Sequence, residues 1–112
     1  MYTYHVIISS VLALVFVISG LMKASGNERG LAITREVNVK DGIARVIGVI
    51  EALAALGIII GLRNVFVQWC ALVILWVDMG GAMYFHFRAE KIRASFPPFF
   101  LLTLISIALV TI

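Results

Sequence analysis

The chain has 112 residues, of which 62% are apolar and 13% are charged, and its mean hydropathy is +1.09. Soluble domains are about 45–50% apolar and about 25% charged, and a chain of this length cannot bury such an apolar excess in its own core. The composition therefore excludes a soluble enzyme, a secreted disulfide scaffold and a disordered linker. It predicts a single membrane domain over residues 1–112, with the lipid bilayer as its main surroundings.

Four apolar stretches are candidate membrane-spanning helices. A hydrocarbon core about 30 Å thick needs roughly 20 apolar residues in a helix. The stretches are residues 4–22, 43–62, 65–87 and 96–112, and the last of them is short. They predict an all-α fold, an integral membrane four-helix bundle.

The connection between the first two stretches, residues 23–42, is long for a helix hairpin. Ile33 and Val37 are one helical turn apart, and Glu36 and Lys40 have the spacing of a favourable ion pair on a helix. These features predict a short interfacial helix or a lid, and a solvated charged loop is the alternative.

Polar and turn-forming residues mark the ends of the other stretches. Asp41 can cap the second helix, and residues 61–64 predict a tight polar connection. Pro97 and Pro98 suit the first turn of the fourth helix, where a missing N–H costs little.

Basic residues indicate the orientation of the bundle. The connections before the second and fourth stretches, together with Arg45 at the start of the second stretch, carry eight Lys and Arg residues, against Arg63 alone on the other side. The positive-inside rule predicts that these connections are cytoplasmic and that both termini are outside. The basic residues that give the formal net charge of +3 lie between apolar runs. They therefore indicate topology, and we expect no nucleic-acid partner.

Two carboxylic acids, Glu51 and Asp78, lie inside the predicted spans, where insertion of a carboxylate costs about 2.5–3.5 kcal/mol. Glu51 is 12 residues before Arg63 and Asp78 is 15 residues after it, so their depths differ by about 4–5 Å. If they face each other, one is protonated and one is ionised, as in a general acid next to a general base. The pair is the candidate catalytic site.

A structural role for both carboxyl groups is the alternative. Glu51 can pair with Arg45 or Lys23, and Asp78 can bond to a helix backbone or to a tryptophan N–H. A protonated carboxyl group can also join two helices by a hydrogen bond.

Several other side chains are candidate supporting residues. Lys23 or Arg45 can keep one carboxylate ionised. His86, near the cytoplasmic end, is either a proton relay or an ordinary interfacial histidine. Tyr84 has a phenol that can donate a proton, and Trp76 can line a lipophilic pocket or belong to an aromatic belt.

The remaining reactive residue types indicate neither a metal site nor a cofactor site. His5 is expected at the outer interface, at the opposite face from His86, which argues against a haem held by both. Cys70 is the single cysteine and lies in an apolar run, so it is interpreted as a buried small side chain. We therefore expect no metal and no cofactor.

Gly57 and Gly61 have the spacing that lets membrane helices approach closely. This surface, extended by other small residues of the same helix, predicts tight packing within the bundle or between subunits. A homo-oligomer is expected through these glycines or through other small-residue faces.

Three segments are similar to a known family. They are Gly20 to Lys23, Gly48 to Glu51 with the following run to Leu62, and Gly81-Ala82 followed by His86 and Pro97. In this order and spacing, the chain resembles the DoxX-like family of small four-span membrane proteins. The resemblance implies a four-helix membrane bundle with polar positions at Lys23 and Glu51. It implies little about activity, although members are associated with quinone-linked redox systems, and an acid at Asp78 departs from the family pattern.

The carboxyl pair predicts an enzyme that acts on a small lipophilic substrate. The expected location of the protein is a bacterial plasma membrane. Epoxide opening, cyclisation, dehydration and isomerisation all fit acid–base chemistry by two carboxyl groups. The alternative is a non-catalytic DoxX-like accessory or quinone-binding subunit of a membrane redox assembly. A transporter is a third and weaker hypothesis.

Overall fold

The computed structural model describes residues 3–112, apart from the side chains of residues 92 and 94, and the chain is all-helical over that range. Its helices are α1 (Thr3–Ala24), α2 (Glu28–Glu36), α3 (Asp41–Ile60), α4 (Val65–Arg88) and α5 (Phe96–Val110), with a 3₁₀ turn at Ile92–Ser95.

Three of the helices, α1, α3 and α4, are long and apolar enough to cross a membrane. Their ends lie within two residues of the predicted ones. The helix predicted over residues 96–112 is α5, which begins with Pro97 and Pro98 in its first turn. It has 15 residues. At 1.5 Å per residue it extends about 22 Å, which is less than the hydrocarbon thickness.

The four longer helices pack side by side, with α1 and α4 on opposite corners. Each of these two helices contacts both α3 and α5. Fully buried apolar side chains fill the space between them: Leu12, Phe16, Ile58, Leu72, Leu75 and Ile105. Many apolar side chains on the outer faces are exposed. An apolar outer surface on apolar helices is typical of helices surrounded by lipid.

A contact between two glycines holds α1 close to α3. A Cβ atom on Gly20 would lie 2.6 Å from the carbonyl oxygen of Gly48, and a Cβ on Gly48 would lie 2.6 Å from that of Gly20. Only a residue without a side chain fits at either position. The contact also places Lys23 of α1 next to Gly48, since a Cβ on Gly48 would lie 2.6 Å from the Cβ of Lys23, and Glu51 is one turn further along α3.

A second glycine contact joins α3 to α4. A Cβ on Gly57 would lie 3.1 Å from the Cβ of Ala71, and a Cβ on Gly61 would lie 2.5 Å from Gln68. The predicted tight connection follows, and Asn64 caps α4 by accepting hydrogen bonds from two backbone N–H groups. Within one chain, α4 therefore covers the Gly57 and Gly61 surface.

The connection after α1 contains the short helix α2. The side chain of Asn27 caps α2 by accepting from the N–H of Arg29 at 2.9 Å. Gly30 allows α2 to lie against the end of α1, because a Cβ there would be 2.7 Å from the backbone of Met22. The helix lies across the end of the bundle where both basic connections meet. We call this the basic end, formed by residues 23–42 and 88–95.

The ion pairs of α2 differ from the predicted ones. Arg35 donates to Glu28 at 2.6 Å and to Asp41 at 2.8 Å. The pKa of Arg35 is raised above its ordinary value, mainly by the hydrogen bond with Asp41 and then by the hydrogen bond with Glu28. The predicted pairing of Glu36 with Lys40 on one helix is wrong, because α2 ends at Glu36 and Lys40 has an extended backbone. The prediction that Asp41 caps α3 is also wrong, since Lys40 is the capping residue and Asp41 begins the helix.

Candidate functional site

An ion pair joins α1 to α3 in the interior of the bundle. The Nζ of Lys23 donates to Oε1 of Glu51 at 2.7 Å, and the Glu51 side chain has no exposed surface. The sequence allowed either Lys23 or Arg45 as the partner, and the structure has Lys23. Arg45 is exposed and donates instead to the backbone oxygen of Ala24 at 3.1 Å. The glycine contact between α1 and α3 is what brings this lysine close enough to reach the acid.

Asp78 of α4 lies next to this ion pair. Its carboxyl group interacts with the neighbouring carboxyl group of Glu51. Oδ2 of Asp78 and Oε2 of Glu51 are both buried, and neither has a hydrogen-bond partner among the described residues. Two neighbouring carboxyl groups can share one proton, which supplies the donor that such oxygens lack. With one proton on the pair and an ammonium on Lys23, the three groups are electrically neutral together.

A cavity of about 720 Å³ lies next to the acidic pair, in the half of the bundle nearer the basic end. Asp78 and Lys23 both line it, whereas Glu51 lies behind them and does not. The two acids therefore occupy different positions. A molecule in the cavity can contact Asp78, and Glu51 can act on it only through its neighbours.

The walls of the cavity are mainly apolar, and every helix contributes to them. α2 closes the basic end with Arg29, Gly30, Ile33 and Thr34. Pockets of about 300–1,000 Å³ with apolar walls and a few polar groups are typical binding sites for small molecules. The cavity belongs to this class by its size and by its lining.

His86 lines the same cavity near the basic end. It is 3% exposed, and its Nδ1 is buried without a hydrogen-bond partner in the part of the chain that the structure describes. It follows Asp78 by eight residues on α4, which corresponds to about 12 Å along the helix axis. The histidine and the aspartate therefore lie at different depths of one cavity.

Two predicted site residues, Tyr84 and Trp76, lie away from the cavity. Tyr84 is 62% exposed and its ring packs edge-on against Phe85. Trp76 is 45% exposed and donates to the hydroxyl of Ser106 at 3.1 Å. The structure thus brings together Glu51, Asp78 and Lys23 and places His86 in the same cavity, whereas Arg45, Tyr84 and Trp76 are elsewhere.

A second buried polar cluster lies at the opposite end of the bundle. His5 is fully buried, and its Nε2 bonds to Oε1 of Gln68 at 2.5 Å while its Nδ1 bonds to the hydroxyl of Thr111 at 2.7 Å. The amide nitrogen of Gln68 donates to the backbone oxygen of Ile58 at 3.2 Å. His5 is therefore inside the bundle rather than exposed at its end. The sequence carried a signal for this cluster, because its polar residues lie near the same end of three predicted spans.

The fold and the site together define a helical membrane protein with ionisable groups in its interior. The sequence matches the DoxX-like family over residues 7–108, and the chain belongs to that family. The resemblance noted from the sequence is thus confirmed. Neither a curated protein nor a solved structure matches the chain.

Proposed function

We propose that the protein is a membrane-embedded enzyme that performs acid–base chemistry on a small lipophilic molecule. The observation that carries the proposal is that Asp78 lines an apolar cavity while its carboxyl group adjoins that of Glu51. A carboxyl group in contact with a substrate can protonate an oxygen or remove a proton. Epoxide opening, cyclisation, dehydration and isomerisation are reactions that such a group can catalyse.

In this proposal the two acids have different roles. Asp78 is the catalytic residue, because it reaches the cavity. Glu51 is a positioning residue that accepts the shared proton from Asp78 and returns it. Lys23 keeps negative charge on the pair favourable at a site that has little contact with water. When Asp78 gains or loses a proton, the total charge of Asp78, Glu51 and Lys23 therefore stays small.

The surroundings of the cavity favour a substrate that enters from the bilayer. Ile18 of α1 and Val77 of α4 line the cavity and are 53% and 63% exposed. The cavity is therefore open to the surroundings of apolar helices. A lipophilic molecule dissolved in the membrane can enter there without crossing a polar surface.

Substrate trapping tests the proposal. Wild-type protein and the Asp78→Asn variant are purified from membranes of the same cells, and the molecules bound to each are extracted and identified by mass spectrometry. We expect the variant to retain a lipophilic molecule that the wild type converts into an isomer, a hydrate or a dehydrated product. If the wild type leaves the trapped molecule unchanged in a single-turnover incubation, the protein is not an enzyme for it.

Variants at the second acid test its role. We expect Glu51→Gln to slow conversion and to change the pH dependence of the rate, because Asp78 loses the group that shares its proton. Glu90→Gln is the control, since Glu90 is an exposed acid outside the cavity. Full activity with an unchanged pH profile in Glu51→Gln would remove Glu51 from the mechanism.

The alternative, an accessory or quinone-binding subunit of a redox assembly, uses the same cavity for binding alone. It predicts that wild type and Asp78→Asn retain the same unchanged molecule. It also predicts a redox partner in constant ratio after purification in a mild detergent.

We further propose that α5 is a fourth span and that the basic end is cytoplasmic, with both termini outside. We also propose that the protein forms a homo-oligomer in a bacterial plasma membrane. Labelling of cysteines in whole cells tests the topology. After Cys70→Ser removes the native thiol, a membrane-impermeant maleimide should label Arg63→Cys and not Lys91→Cys. The opposite labelling would reverse the orientation, and chemical cross-linking in the membrane tests the oligomer.

A further inference from the structure

We propose that His86 is a second hydrogen-bonding position of the cavity and that the substrate is an elongated lipophilic molecule with a polar group at each end. One end contacts Asp78, and the other end carries an acceptor oxygen that His86 binds. This inference rests on the proposed function and adds the class of substrate to it.

The environment of His86 is the first reason. The side chain is 3% exposed, and buried polar groups in folded proteins usually have hydrogen-bond partners. Its Nδ1 has none among the described residues. An enclosed nitrogen without a partner is tolerated better as a bare lone pair than as an N–H, so the ring proton belongs on Nε2. Because the ring lines the cavity, Nε2–H is a donor available to a bound molecule.

The distance between the two polar positions is the second reason. Eight residues of α4 separate them, or about 12 Å along the helix axis. A direct hydrogen bond extends only about 3 Å between heavy atoms. A single molecule that satisfies both positions must therefore be long, and its two polar groups must be separated by most of its length.

The wall between these positions is the third reason. On α4 it consists of Met79, Gly81, Ala82 and Phe85, all of which line the cavity. None of these side chains offers a strong hydrogen-bond donor or acceptor. The part of the bound molecule that lies along α4 between Asp78 and His86 is therefore apolar.

Nuclear magnetic resonance of histidine labelled with ¹⁵N tests the inference in lipid nanodiscs. The chain has 2 histidines, and His5 at the opposite end of the bundle serves as an internal control. Decanediol, which carries a hydroxyl at each end, is the probe, and decane is the apolar control. We expect decanediol to shift the Nε2 resonance of His86 and not that of His5, and decane to shift neither. A bound diol that leaves the His86 resonance unchanged would overturn the inference.

Affinities measured in the same nanodiscs supply a second readout. We expect the wild type to bind decanediol about 3- to 10-fold more tightly than decanol, the range for one additional hydrogen bond. The preference should disappear in His86→Phe and persist in His86→Gln, which retains a donor. Equal affinities in the wild type would refute the second position.

The two proposals fail in different ways. If Asp78→Asn traps a molecule that has one polar group only, the inference about His86 is wrong and the enzyme proposal stands. If neither decanediol nor decanol binds and no molecule is trapped, the cavity is not a binding site and both proposals fail.

Discussion

Replacement of Lys23 by methionine tests whether a buried ion pair holds α1 to α3. The Nζ of Lys23 lies 2.7 Å from a Glu51 carboxylate that is 0% exposed, and the lysine side chain itself is 17% exposed. Removal of one partner from a buried pair costs about 3–5 kcal/mol, because the other charge is left without compensation. Since the lysine retains some access to solvent, we expect the lower end, about 3 kcal/mol. This corresponds to a fall of about 100-fold in the folding equilibrium constant.

The double variant Lys23→Met with Glu51→Gln separates charge pairing from packing. It removes both charges and keeps similar side-chain volumes, and such replacements are often neutral. We expect it to lie within about 1 kcal/mol of the wild type, so that it recovers about 2 kcal/mol of the stability lost in Lys23→Met.

Reversible unfolding in mixed micelles of increasing dodecyl sulfate content, followed by circular dichroism, measures these free energies. Arg35→Gln is the exposed control. Arg35 and its partners Glu28 and Asp41 are accessible to water, and dissolved salt screens the attraction between such exposed charges. A loss below about 0.5 kcal/mol in Lys23→Met would refute the reasoning about burial. A double variant as unstable as the single one would show that charge pairing is not the cause.

Three further predictions concern the glycines and the buried histidine, and unfolding measurements check each of them. A Cβ on Gly80 or on Gly81 meets no atom within 4 Å, so alanine at either should stabilise α4 by about 0.5–1 kcal/mol. Of these two glycines, only Gly81 lines the cavity. Gly81→Ala should therefore weaken binding of the trapped molecule and Gly80→Ala should not, and equal effects of the two variants on binding would contradict this. Gly48→Ala should destabilise by about 1–3 kcal/mol, since its Cβ would lie 2.6 Å from a carbonyl oxygen of α1; Gly42→Ala, which meets no atom within 4 Å, should cause no loss. His5→Leu should cost about 1–3 kcal/mol, because the buried glutamine oxygen loses its donor, and a loss below about 0.5 kcal/mol would refute that role.

The positions of the helices along the chain could be predicted because they depend on hydropathy and on local chemistry. Runs of apolar residues end at glycine, proline, asparagine or charged residues, and these ends are independent of tertiary contacts. The fourth stretch agrees in position, but α5 ends at Val110 and has 15 residues. The pairing of Glu36 with Lys40 failed because it assumed a helix beyond Glu36, where the chain turns. Asn38, with φ of 65°, lies in that turn.

The position of a residue along the length of the bundle could also be predicted, but the face of the helix on which it lies could not. Counting residues from Arg63 places Glu51 and Asp78 at similar depths, and the structure has them side by side. In a soluble helix, polar residues reveal the outer face. In α4 both faces are apolar, so the sequence could not show that Trp76 and Tyr84 point away from the cavity.

The arrangement of the site follows from the close contact of α1 with α3. Gly20 is three residues before Lys23, and Gly48 is three residues before Glu51. The two helices run in opposite directions, so the contact between the glycines places Lys23 next to Gly48, and the lysine side chain spans one turn of α3 to reach the acid. The lysine and the acid are therefore held in place by α1 and α3 alone, whereas Asp78 is added from α4. If this division is correct, Asp78→Asn removes the group that faces the cavity and leaves the ion pair intact. Loss of chemistry without loss of stability in that variant would distinguish a catalytic aspartate from a third member of a structural cluster.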